Sequence, residues 1–122
     1  MIDKTIRQAK IIRETVNLYG DKQYMVAVEE MAELMQALSK YLRIEYSCDD
    51  EARLREPINN ITEEMADVYI MLEQLQYMFG ISNENIQAGI DTKLKRQHTR
   101  NEQFKMRMWC YGRAKNVCKN NN

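Results

Sequence analysis

The sequence predicts an all-α protein, an antiparallel four-helix bundle followed by a basic C-terminal segment, and three observations predict it. Glycine and proline, the residues of turns and breaks, number only 4 and 1 in 122 residues. Charged residues make up 30% of the chain and methionines number nine, which suits long helices better than a turn-rich sandwich or barrel. Apolar residues recur at three- and four-residue spacing in stretches divided by turn signals. A chain of this length forms one domain and buries roughly two-thirds of its unfolded surface, so a core without staples is expected. The 44% hydrophobic content argues against disorder.

The first helix is expected from about Asp3 to Leu18, with Ile6, Ile11, Ile12, Val16 and Leu18 near helical spacing and Gly20 ending it. Asp21 is placed to cap a second helix from about Lys22 to Ile44. The stretch from Ser47 to Pro57, SCDDEARLREP, is charged and poor in apolar residues, and reads as a surface connection with room for a short helical turn. A third helix starts at Asn60 or Thr62 and runs to Phe79, with Gly80 ending it. Ser82 then opens a fourth, marked by Ile86, Ile90 and Leu94 and reaching about Phe104. Residues 1–104 form the helical domain in this reading. Residues 105–122 form a basic extension, packed near Trp109 and frayed beyond Val117.

No stretch approaches the roughly 20 apolar residues that cross a bilayer, and the start MIDKTIRQAK is charged, unlike a signal peptide. A soluble, cytoplasmic protein with no membrane partner is expected. Cys48, Cys110 and Cys118 contain no C-x-x-C pair and read as free thiols. The zero net charge hides a polarity, because residues 1–92 carry net −8 and residues 93–122 net +8. Such asymmetry fits a nucleic-acid tail, or an acidic metal site facing a basic wall that holds phosphates.

Two carboxylate clusters stand out, Glu29-Glu30-Met31-Ala32-Glu33 on the second helix and Glu63-Glu64-Met65-Ala66-Asp67 on the third. Residues three apart share one side of a helix with Cβ atoms roughly 5–6 Å apart, which pairs Glu30 with Glu33 and Glu64 with Asp67. An isolated E-x-x-E is ordinarily a solvated face. Here Ile61, Met65, Val68, Leu72, Leu75 and Phe79 form an expected core stripe, from whose centre Glu64 falls about 60° and Asp67 about 120°. Met25, Val28, Met31, Ala32, Leu34, Met35, Leu38 and Leu42 make the expected core face of the second helix, with Glu30 and Glu33 on the remaining side beside Val26 and Ala37.

Carboxylates facing one another near a core repel unless a cation or donors offset them. A hard divalent ion is the economical answer, since carboxylate oxygens suit Mg²⁺, with Mn²⁺ as a substitute. Neither cluster holds a histidine, which disfavours zinc and the Glu-x-x-His di-iron pattern, and the sole histidine, His98, reads as a surface residue.

The paired motif Glu30-x-x-Glu33 and Glu64-x-x-Asp67, in the wider forms EEMAEL and EEMADVYIML, resembles the MazG-type all-α nucleoside triphosphate pyrophosphohydrolases over roughly residues 15–100. That superfamily includes dimeric dUTPases and phosphoribosyl-ATP pyrophosphatases. The departure is the gap from Glu33 to Glu64, which is long for the family and bears on the loop around residues 45–58. The resemblance implies a four-helix fold, a homodimer or homotetramer, and Mg²⁺ coordinated by Glu30, Glu33, Glu64 and Asp67. It also implies attack of water on the α-phosphate of a nucleoside triphosphate, releasing a monophosphate and pyrophosphate, as nucleotide-pool housekeeping. Glu33 or Glu30 then orients or deprotonates that water.

Lys93, Arg96 and Arg100 fall at i, i+3 and i+7 on one face of the fourth helix, and Lys93 and Arg96 resemble the family's phosphate-binding basic residues. A solvated basic face is the plain alternative. Gln23 and Tyr24 resemble in position the segment near which relatives hold the nucleoside, while helix-start packing is the competing role. Two further functions stay open, a phosphoribosyl-ATP pyrophosphatase and a non-enzymatic module that binds nucleic acid through its basic C-terminus.

Overall fold

A computed structural model describes the backbone of residues 5–45 and 51–120, and the side chains of residues 5–44 and 51–115. Asp3, Cys48, the first part of the expected surface connection, and the side chains of Val117 and Cys118 lie outside the described residues. Four helices and no strand occur among the described residues: α1 (Ile6–Tyr19), α2 (Lys22–Glu45), α3 (Glu51–Phe79) and α4 (Asn83–Asn120). They fall into two units divided between Ile81 and Ser82, and each is described by itself.

In the first unit, α1 starts at a reciprocal cap. The Gln8 N–H donates to Thr5 Oγ1 at 3.3 Å and the Thr5 N–H to Gln8 Oε1 at 3.4 Å, which satisfies two donors that lack helical partners. Gly20 ends α1 at φ 62°, a conformation that L side chains rarely adopt, and its N–H donates to the Val16 carbonyl at 2.8 Å. The chain reverses there, and α2 begins one residue after Asp21.

Helices α2 and α3 run antiparallel. Gln23 meets Gln74 through a 2.7 Å hydrogen bond, and further along, Glu30 and Glu33 lie with Glu64, so rising numbers on α2 meet falling numbers on α3. Helix α1 returns parallel to α3, where Tyr77 Oη donates to Asn17 Oδ1 at 3.2 Å and the Arg13 guanidinium lies 5.8 Å from the Tyr77 ring centroid.

Apart from Val26, the buried and half-buried positions of α2 are Gln23, Ala27, Glu30, Leu34, Ala37, Tyr41 and Ile44, alternating steps of four and three. On α3 the same alternation links Pro57, Ile61, Glu64, Val68, Met71, Leu75 and Met78. This is the spacing of a coiled-coil seam. Ala27 and Ala37, each 2% exposed, have only a methyl to insert, which lets the backbones approach closely.

The seam corrects the expected core face of α2. Met25, Val28, Met31, Met35, Leu38 and Leu42 are exposed within the chain, Met35 by 68%, and their face lies roughly 100° around the helix from the seam. The large residues form the wider apolar surface, but the small ones permit the close contact. On α3 the expected stripe divides: Ile61, Val68 and Leu75 are half-buried, while Met65, Leu72 and Phe79 are exposed.

Helix α3 starts at Glu51, well before the expected Asn60 or Thr62, and contains Pro57. A proline in a helix interior removes one backbone hydrogen bond and costs about 3 kcal/mol. Leu54 and Pro57 are half-buried and extend the seam spacing backward, so packing holds a turn that composition alone assigns to a loop.

The second unit is α4. Ser82 Oγ accepts the Asn85 N–H at 3.1 Å and the Ser82 carbonyl accepts from Ile86, so the expected start is observed. Local pairs support the helix: Gln87 to Asp91 at 2.9 Å, Gln97 to Asn101 at 2.8 Å, and Lys105 to Glu102 at 3.0 Å. The expected end at Phe104 is corrected, since the helix continues to Asn120. Trp109 is exposed, with the Arg113 guanidinium 5.1 Å from its ring centroid. Its expected role as a packing anchor is corrected too.

Ala37→Leu should destabilise the protein by about 1–3 kcal/mol, because the added atoms must open the seam. A urea melt followed by circular dichroism checks it; an unchanged midpoint would remove the close approach at Ala37.

Candidate metal centre

The seam brings acidic groups inward at its middle. One carboxylate oxygen from each of Glu30, Glu33 and Glu64 lies within 4.8 Å of the others. Glu30 and Glu64 occupy seam positions and are half-buried, whereas Glu33 is exposed one turn on from Glu30. Asp67 is exposed at the edge of the same region and is not part of that close group, but its charge acts on both Glu30 and Glu64. The smaller angle from the expected stripe thus belongs to the better-buried residue of the α3 pair.

Burial and like charge push two of these groups in one direction. The Glu30 carboxyl is held above its ordinary range first by burial, then by the charges of Asp67, Glu33, Glu64 and Glu29. Glu64 is likewise raised by burial, by the charges of Glu33 and Asp67, by a hydrogen bond shared with Glu33, and by Glu63. Glu64 Oε2 is shut off from solvent and has no hydrogen-bond partner. An acceptor of that kind costs free energy unless a proton or a cation meets it.

The donor set is all carboxylate oxygen, the chemistry of a hard divalent ion. Oxygens on one Mg²⁺ sit about 2.1 Å from it and therefore at most about 4.2 Å apart, so small side-chain rotations would gather this group round one ion. On that test the residues fit Mg²⁺ or Mn²⁺.

Gln23 is buried and its amide is engaged with Gln74. Tyr24 is partly exposed, its ring 5.2 Å from that of Phe79 and tilted by 41°. Lys93, Arg96 and Arg100 are exposed along one face of α4 in the second unit. On the same helix, the Glu102 carboxyl is held below its ordinary range, chiefly by its hydrogen bond from Lys105. Gln74, buried at 4% exposure, is not among the expected site residues; its one sequence signal is a glutamine set among apolar neighbours in the third helix.

No family model, curated protein or solved structure matches the chain.

The raised carboxyls fix the sign of a pH effect. Unfolded, Glu30 and Glu64 take up protons near 4.5; folded, they do so at higher pH. Between the two values the folded chain holds more protons, so with divalent ions chelated, stability falls as pH rises through that window. Glu64→Gln should then melt above the wild type at neutral pH in chelator, and the advantage should vanish once pH drops below about 4.5. Paired thermal melts across pH test this. An equal or lower melting temperature for the variant at neutral pH would mean that Glu64 carries no such strain.

Proposed function

We propose that the chain is a divalent-cation-dependent nucleoside triphosphate pyrophosphohydrolase. The observation that carries this reading is the meeting of Glu30, Glu33 and Glu64 oxygens within 4.8 Å around a buried Glu64 oxygen that has no partner. The resemblance of EEMAEL and EEMADVYIML to the MazG-type enzymes supports the choice of reaction.

Glu30, Glu33, Glu64 and Asp67 hold Mg²⁺, or Mn²⁺ in its place. When bound, the cation neutralises triphosphate charge and supplies Lewis acidity at the reacting phosphate. The chain's own groups do the rest. Glu33 or Glu30 accepts a proton from the water that attacks the α-phosphate; the bond from that phosphorus to the bridging oxygen breaks, and pyrophosphate leaves with the electron pair. For Lys93, Arg96 and Arg100 the resemblance supports a phosphate-binding role, Arg through its forked guanidinium and Lys as a point charge. Tyr24, and Gln23 through its place at the start of α2, border the nucleoside.

The chain acts as a homodimer or homotetramer, supported by the exposed face of Met25, Val28, Met35, Leu38 and Leu42 on α2. It works in the cytoplasm on surplus or noncanonical nucleotides.

Glu30→Gln should lower pyrophosphate release from a panel of ribo- and deoxyribonucleoside triphosphates by about 100-fold or more while helical content is unchanged. Lys93→Ala and Arg96→Ala should raise KM and lower kcat. Wild-type release by the Glu30 variant would remove the carboxylate site. Release from phosphoribosyl-ATP alone would keep the site and change the substrate.

A further inference from the structure

The seam between α2 and α3 is largely apolar and repetitive, with Ala27, Leu34, Ala37, Tyr41 and Ile44 on one side. A surface of that kind is nearly self-similar under a shift of seven residues, so apolar packing by itself discriminates weakly between registers. Polar positions discriminate strongly, because a buried amide moved off its partner loses its hydrogen bond without regaining water.

One such pair ties the two helices, Gln23 at a seam position of α2 and Gln74 beside the seam, one turn on from Met71 of α3. Gln23 and Gln74 are 6% and 4% exposed, and Gln23 Nε2 donates to Gln74 Oε1 at 2.7 Å across 51 residues of sequence. Gln23 precedes Glu30 by seven residues, and Gln74 follows Glu64 by ten. The pair therefore sits two to three helical turns from the carboxylates. A heptad slip of α3 toward either end separates Gln23 from Gln74, and it also separates Glu30 and Glu33 from Glu64. Mutual repulsion among the carboxylates favours such a slip, and an attractive contact elsewhere on the seam must oppose it.

We infer that the Gln23–Gln74 hydrogen bond is a positioning contact that locks the α2–α3 register and thereby holds Glu30, Glu33 and Glu64 together. For the cation site this rests on the functional reading above; for the register it stands on the buried pair alone.

The test uses the full chain with Gln23→Met, Gln74→Met, the double variant and Gln74→Glu. Methionine fills the same volume without the amide, which guards against collapse of the seam. Glutamate at 74 keeps an acceptor oxygen facing the Gln23 amide. Two readouts are taken where circular dichroism shows full helical content: nuclear Overhauser contacts of the buried Ala27 and Ala37 methyls to α3, and the Kd for Mn²⁺ alone.

The methionine variants should show a second set of Ala27 and Ala37 contacts displaced along α3. They should also bind Mn²⁺ about tenfold or more weakly, while Gln74→Glu retains a single set. A single wild-type set of contacts in the double variant, whatever its melting temperature, overturns the register role. Absence of Mn²⁺ binding by the wild-type chain would overturn the cation reading, and the methyl contacts would still decide the register.

Discussion

Close approach of α2 to α3 is the constraint on which the rest of the first unit depends. Ala27 and Ala37 favour it, since their methyl groups are the most deeply buried side chains of the seam. A helix pair held apart by leucines would leave Glu30 and Glu64 room to swing into water. With alanines on either side, the two carboxylates are caught at the line of contact, and one Glu64 oxygen is left without water or partner. The acidic site is a product of small neighbours as much as of its own charges.

That arrangement sets packing against electrostatics. Dispersion and apolar burial along the seam draw the helices together, while Glu30, Glu33, Glu64 and Asp67 push them apart where charge is densest. Raised proton affinity of Glu30 and Glu64 is the trace of that opposition. Natural proteins often concentrate such costs at functional sites.

Much of this was legible in the residues. Gly20 and Gly80 end helices at positive φ because only glycine adopts that conformation freely, and Ser82 opens α4 as a hydroxyl acceptor should. The four carboxylates could be found because a three-residue spacing puts side chains on one helix face, and Glu64 could be ranked above Asp67 by angle alone. The packed face of α2 was not legible. Apolar patterning points to the face with most hydrocarbon, and here the most buried positions of α2 include two alanines on a neighbouring face. The early start of α3 was hidden for a similar reason: Pro57 and its charged neighbours have the composition of a loop, and only seam packing by Leu54 and Pro57 makes them helix. Gln74 was hidden because its partner is 51 residues away.

The chain has a single tryptophan, and it lies exposed on α4 against Arg113 rather than in the α2–α3 seam. Its emission therefore begins in a polar environment and reports on the second unit. A fluorescence melt would trace α4. Agreement between that melt and one followed by backbone dichroism would be evidence that the two units unfold together, a coupling that neither signal alone reveals.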